Sequence, residues 1–410
     1  MSTSRRRARL ALAAAVLVSL LAAPAAAQTV RLRLAHAGSE TDSQHAAIVE
    51  FAKRVKERSG GAVEVRVFPG SSLGPDLQAI SATRGGTIDL VLSGNANFAG
   101  IAPKLGVLDI PFVFKDGAHA HKVLDGEIGT ALLGELRPHG LEGLAFMEVG
   151  FRVISNSKRP VRGPADVRGL KIRTVPNPLH IKAFQLLGAN PVPLSLAELY
   201  TALESGAVEA QEHPIGIFWS AKLYEVQKHL SLTRHAYTPL LAVMNKKRFD
   251  ALTPEQQTIL TEEARAAARR QRDINRDEEG KIVAELKGKG IQVIEEIDPK
   301  PFYDVVFAAV AKEYTDKHGT SLLSGSKPPG EAPGRAIASG EGSRDARPTA
   351  RIPGVRRAGR GRADPAHGRH MPGFHPVARR TGGLPHALFH PAGTRPGPRA
   401  CPRPPGSAPA

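Results

Sequence analysis

Arg152 and Arg173 are the side chains whose type and setting point most directly to chemistry. Arg152 follows Gly150-Phe151 at the start of an extended run, and Arg173 ends the run Gly169-Leu170-Lys171-Ile172. An arginine at a strand end can reach into a cleft, where its planar fork matches a carboxylate with two parallel hydrogen bonds. Position alone favours an ordinary surface arginine. Gly70-Ser71-Ser72-Leu73-Gly74 offers different chemistry. It fits the G-x-S-x-G of a nucleophile elbow between a strand and a helix, so a secreted serine hydrolase using Ser72 is the alternative reading. Too little chain precedes Ser72 for the earlier loop that completes an elbow's oxyanion hole. Fifteen histidines invite a metal site. His119 and His121 would stand about 200° apart on a helix, and no H-E-x-x-H or Cys/His framework occurs. The single cysteine, Cys401, lies near the C-terminus. The rest of the chain therefore has no disulfide, thiolate metal site or cysteine nucleophile. No cofactor is expected.

Hydrophobic patterning supplies the scaffold. Residues 30–34 and 63–67 alternate apolar and polar, as strands do. Residues 46–58 place Ile48, Phe51, Ala52 and Val55 at helical spacing before Ser59-Gly60-Gly61. A short helix from Pro75 to about Gly85, a strand at 88–92, one helix over 117–135 and a strand over 143–149 follow. A second series begins near Gly150, with extended residues 152–155 and a strand at 170–173. It continues with a helix over 178–187 and another from Ser195, whose Glu198 completes a capping box. A short strand at 208–210 and separate strands near 229–234 and 240–245 lead to one long polar helix. That helix opens at Thr253-Pro254 and runs to about residue 287. Its length is unusual for a globular domain and suits a connector between two lobes. The alternation predicts an α/β fold with parallel-type sheets.

The formal charge of +17 is unevenly spread. Residues 1–27 carry four arginines and no acid, ahead of 14 uncharged residues and Ala25-Ala26-Ala27. That is the pattern of a cleaved secretory signal peptide, with Gln28 beginning the mature chain and the periplasm as its destination. Residues 326–410 hold 15 basic and four acidic side chains with 16 prolines and 14 glycines. This composition predicts a disordered basic extension or the product of a frame change. Between them, 37 basic and 35 acidic side chains nearly balance. Net charge therefore gives no reason to expect nucleic acid as a partner.

Several ordered runs carry a family resemblance. They include Ala35-His36, Phe68-Pro69-Gly70-Ser71-Ser72-Leu73-Gly74, Gly106-Val107-Leu108-Asp109-Ile110-Pro111-Phe112, Gly150-Phe151-Arg152 and Asn156-Ser157-Lys158-Arg159-Pro160. Further on come Asp166-Val167-Arg168-Gly169-Leu170-Lys171-Ile172-Arg173, Gly188-Ala189-Asn190-Pro191, Glu198-Leu199-Tyr200-Thr201-Ala202-Leu203 and Tyr224-Glu225-Val226-Gln227-Lys228. Together these resemble the periplasmic solute-binding subunits of tripartite ATP-independent periplasmic (TRAP) transporters, in the C4-dicarboxylate-binding-protein family.

The resemblance implies a two-lobed, periplasmic-binding-protein-like α/β fold with a ligand cleft between the lobes and a long helix spanning both. Residues 28–149 plus 239–278 would form one lobe, and 150–238 plus 279–325 the other. The implied protein is a monomeric receptor, not an enzyme. It would deliver a small carboxylate to TRAP-type permease subunits driven by an ion gradient. Arg173 would grip the ligand carboxylate, with Arg152 beside it. In the run Gln211-Glu212-His213-Pro214, His213 stands where the family has a ligand-contacting Asn, next to Glu212. An imidazole there would be expected to titrate near neutral pH. His36, Glu40 and Asn95 lie on loops that could face the cleft and rank below the arginines, because polar loop residues often serve local turns. The chain departs from the pattern at Thr174, at Ser195-Leu196 and at Gly94, where sialate binders carry an acid. Dicarboxylates, uronates, keto acids and aromatic acids all remain open as ligands.

Overall fold

A computed structural model describes residues 29–323. The expected leader and the basic extension lie outside the described residues. Strand β1 (Val30–His36) pairs in parallel with β2 (Val63–Phe68) and β3 (Leu90–Gly94). Helices α1 (Ser43–Arg58) and α2 (Asp76–Gly85) connect them. Asp42 starts α1 by accepting from the Gln44 N–H at 2.9 Å, a cap that satisfies an otherwise orphaned donor.

The expected helix over 117–135 is two helices, α3 (Gly117–Leu124) and α4 (Glu127–Gly134). The chain turns between them so tightly that a Cβ on Gly129 would lie 1.9 Å from the Leu124 carbonyl oxygen. Only glycine fits that approach.

Strand β4 (Leu141–Asn156) joins what the pattern divides into a strand and a separate extended run. Likewise β8 (His229–Asn245) joins two expected strands into one of 17 residues. The two pair antiparallel, with register irregularities at Glu148/Gly150 and Arg152/Ile154. Gly150 has φ +110° and Arg234 has φ +46°. These local distortions masked the continuity of both strands.

Between β4 and β8 the chain adds α5 (Pro164–Val167), β5 (Lys171–Thr174), α6 (Pro178–Leu186), β6 (Asn190–Pro193), α7 (Leu196–Glu204), β7 (Ala210–Pro214) and α8 (Ile215–Ser220). After β8 come α9 (Lys246–Asp250), α10 (Pro254–Gly288), β9 (Gln292–Ile294) and α11 (Lys300–His318). Strand order is β2-β1-β3-β8-β4-β7-β5-β6, with β9 beside β8. The sheet is thus mixed. Parallel pairs at both ends flank the antiparallel β3-β8-β4-β7 centre.

Thr253 and Gln256 cap α10 reciprocally, at 3.1 and 3.2 Å. Its first half buries Leu260 and Ala264 with Phe51 and Leu32. Its far end buries Ile282 and Leu286 with Leu199 and Phe218. A fully buried Leu or Ile is worth about 1.5–3 kcal/mol, so one helix is anchored in two separate cores. A third core surrounds α11 and α6, with Phe302, Phe184 and Phe98.

Candidate functional site

A cavity of about 630 Å³ lies where the ends of β3, β5 and β7 meet the middles of β4 and β8. Short strand β7 lies between β4 and β5 and so sets the site. Gln211 is in register with Arg173, and His213 with Val153. Residues two apart on a strand share a face, so Arg173, Gln211 and His213 meet side by side. Glu212 points to the opposite face.

Arg173 is 2% exposed. Its Nε and Nη2 donate to the Leu194 carbonyl at 2.8 and 2.6 Å, and Nη1 donates to His213 Nε2 at 3.1 Å. A guanidinium has five N–H donors, so one hydrogen remains on each terminal nitrogen. No carboxylate forms an ion pair with Arg173 among the described residues. Burial, together with the neighbouring Arg152 charge, lowers its pKa to about 10. It is still charged at neutral pH.

Arg152 faces the same cavity in a different electrostatic condition. Its Nε and Nη2 clasp the Glu212 carboxylate, with Nη2 to Oε1 at 2.8 Å, and Nη2 also reaches the Glu212 carbonyl. Nη1 donates to Thr238 Oγ1 at 3.0 Å. Burial pushes the Glu212 carboxyl up, but Arg152, His235 and His180 outweigh it and hold the group well below the ordinary carboxylate value. The pair is therefore ionised and mutually neutralised.

His213 Nδ1 donates to Gln211 Oε1 at 2.8 Å, and Gln211 Nε2 in turn donates to Ser155 Oγ at 2.7 Å. That chain leaves Nε2 as an acceptor for Arg173. Burial, with Arg173 and Arg152 alongside, holds the imidazole well below its usual pKa. The expected titration near neutral pH does not follow, because a third cation beside two buried guanidinium groups is strongly disfavoured.

Arg152, Arg173 and His213 thus share the cavity wall. The other sequence candidates stand elsewhere. Glu212 is fully buried as the Arg152 counter-ion and does not line the cavity. Asn95 is buried and donates to the Leu105 carbonyl at 2.9 Å, holding a turn. His36 ends β1, 3.1 Å from His45 Nδ1, and burial with that neighbour lowers it to about 4. Glu40 is exposed on the β1–α1 loop. Ser72, the elbow candidate, is exposed, and its hydroxyl has no histidine partner among the described residues.

Asp76, Ser93, Asn97 and Gln44 also line the cavity, and the sequence reading missed them. Asp76 opens α2, where an acid needs no function beyond favouring the helix N-terminus. That ordinary role hid it.

A family model, bacterial extracellular solute-binding protein family 7, matches residues 34–317. The 2,3-diketo-L-gulonate-binding periplasmic protein YiaO of Escherichia coli is 48% identical over 275 residues, covering 67% of this chain and 84% of that protein. A TRAP periplasmic solute-binding protein from Polaromonas bound to D-erythronate superposes with TM-score 0.70 at 34% identity, covering 72% of this chain and 97% of that one. The galactonate complex of the sugar-acid-binding protein DctPAm from Advenella mimigardefordensis gives TM-score 0.70 at 32% identity, covering 73% and 96%. The extent of these matches, over a mixed sheet with its long two-core helix, shows that the chain belongs to the family 7 extracellular solute-binding proteins, as a TRAP solute-binding protein and not an enzyme.

Proposed function

We propose that this chain captures a small organic acid by its carboxylate in the periplasm and delivers it to a TRAP-type membrane permease. The observation that carries this reading is Arg173. It is buried on the cavity wall, charged, without an ion-pair partner among the described residues, and keeps one free hydrogen on each terminal nitrogen. A carboxylate fits those two donors. The E. coli and Polaromonas relatives, with diketogulonate in a name and erythronate in a structure, support the ligand class.

The division at Gly150 and Thr238 makes β4 and β8 the hinge between 28–149 plus 239–278 and 150–238 plus 279–325. Register irregularities and the positive φ of Gly150 concentrate there. The core around α11 draws residues from both sides, since Tyr314 donates to the Lys104 carbonyl at 3.0 Å. Closure then pivots on that contact as well as on the strands. Ligand binding favours the closed form, and the permease distinguishes that form.

A melting-temperature screen of the mature chain against organic acids tests the reading. A receptor gains stability from its ligand by mass action. A rise of several degrees with a subset of carboxylates is expected. Indifference to every carboxylate, or turnover of an ester, would overturn it.

A further inference from the structure

The two sides of the proposed division also meet outside the ligand cavity. Asp42 caps α1 through Oδ1, and its Oδ2 accepts from Ser220 Oγ at 2.9 Å. Ser39 Oγ lies 3.5 Å from the Ser220 carbonyl oxygen. Neither Asp42 nor Ser220 lines the cavity that holds Arg173. Both line a second cavity, of about 540 Å³, which shares Val149 and Ile217 with the first.

Each partner is fixed to its own side. The loop carrying Asp42 is fastened to the turn after β2, where the Gly70 N–H donates to the Gly38 carbonyl at 2.8 Å and the Ser71 N–H to the His36 carbonyl at 3.1 Å. Gly38 packs so closely on Gln44 that a Cβ there would lie 2.2 Å from Gln44 Nε2. Ser220 ends α8, which follows directly on β7 and its His213. Ile215 and Phe218 of α8 are buried with Leu199 and Leu223. Movement of one side against the other therefore changes the Asp42–Ser220 distance, and a hydrogen bond stretched beyond about 3.5 Å is lost.

Asp42 is 6% exposed and forms no ion pair among the described residues. Burial raises its pKa against the opposing pull of Gln44 and Ser220. A desolvated carboxylate that loses a donor is costly, whereas one uncovered by parting lobes is satisfied by water. The bond to Ser220 thus stabilises the lobes together and does nothing for them apart.

Resting on the receptor reading above, we infer that Asp42 and Ser220 form an interlobe latch, positioning residues that hold the closed form and set how tightly the ligand is retained without touching it. Apparent affinity scales with the fraction of the binding-competent form. Losing the latch therefore weakens every ligand by one common factor, mainly through faster release.

Calorimetric titration of the full mature chain with D-galactonate, erythronate and D-glucuronate is the first arm of the test. Ser220→Ala should weaken each acid that binds the wild type about tenfold, the scale of one hydrogen bond to a charged group. Ser220→Thr keeps the hydroxyl and should restore the wild-type Kd. Asp42→Asn keeps the α1 cap and replaces a charged acceptor with a neutral one. It should give a smaller loss in the same direction, and it serves if Ser220→Ala does not fold. In the second arm, spin labels attached through Lys53→Cys and Glu204→Cys, both exposed, in a Cys401→Ser background report the distance between the two sides. The acid concentration that shortens this distance should rise in Ser220→Ala by the factor seen in calorimetry. Unchanged affinity in the folded variants, or losses that differ from acid to acid as a ligand contact would give, would overturn the latch and leave the receptor reading standing. So would a distance that does not shorten when an acid binds. If no acid in the panel or the wider screen binds the wild type, the receptor reading fails and the latch with it.

Discussion

Two buried guanidinium groups share one cavity, and their partners decide what each can do. Arg152 spends its fork on Glu212, while Arg173 spends its carbonyl-facing side on Leu194 and keeps two hydrogens free. Breaking the first pair should damage folding more than recognition. Glu212→Gln leaves a buried charge without its counter-ion, which costs about 3–5 kcal/mol. Urea denaturation should show that loss, and an unchanged midpoint would mean that water or a neighbour compensates Arg152. His213 acts as a neutral acceptor bracing Arg173. His213→Asn should therefore retain binding, with a Kd as independent of pH between about 6 and 8 as in the wild type. A wild-type Kd that changes steeply with pH in this window, and flattens in the variant, would contradict that role. In the sequence, the two arginines were visible as fork-bearing residues on extended runs, although Arg152 lies inside β4 and not at the strand end expected of it. Their inequality was not, because it depends on whether Glu212, on the neighbouring strand, points towards Arg152 or into the cavity.

At the scale of elements, repeating patterns were legible and local exceptions were not. The capping residues Ser195 with Glu198 and Thr253 with Pro254 located two helix starts correctly. The long helix was readable because its cap and its polarity persist over 35 residues. Gly150 and Arg234 interrupt the alternation in β4 and β8 where the backbone leaves ordinary strand geometry, so each strand reads as two in the sequence. Helices α3 and α4 read as one because apolar residues continue through a turn set by backbone proximity. Gly129→Ala tests that turn. The added Cβ would collide with the Leu124 carbonyl, a backbone atom that cannot move aside cheaply. A loss of about 1–3 kcal/mol is expected, the usual scale for overpacking. A melting temperature equal to wild type would show that α4 can shift instead.

For the whole molecule, buried histidines tie stability to pH. His36, His213 and His235 all have lowered pKa values, chiefly because burial disfavours the imidazolium. The unfolded chain takes up protons below about pH 6.5, whereas the folded chain resists them. Stability is therefore complete above that pH and falls as pH drops towards the folded values. His36 alone, lowered to about 4, contributes roughly 3 kcal/mol of that fall. Glu212, lowered as well, adds to the loss at still lower pH. Asp42 and Asp76 are raised by burial and work in the opposite direction once they begin to protonate. Melting temperature should decline between pH 6.5 and 5, and a flat profile there would contradict this balance.

The solved relatives from Polaromonas and Advenella are matched over 97% and 96% of their lengths by 72% and 73% of this chain, and the family match ends at residue 317. Truncation after Gly325 should accordingly leave melting and ligand affinity unchanged. A drop of several degrees would place part of the structural core beyond that point.

In the proposed receptor, one ligand carboxylate is gripped by the free fork of Arg173. Arg173→Lys keeps a positive charge and removes the fork. With whichever acid raises the melting temperature most, calorimetry of wild type and Arg173→Lys measures what that fork contributes. Losing the paired charge-assisted bonds should cost ~1.5–3 kcal/mol, roughly one to two orders of magnitude in Kd, with the fold intact. A variant that binds the same acid as tightly as wild type would show that the carboxylate is held elsewhere.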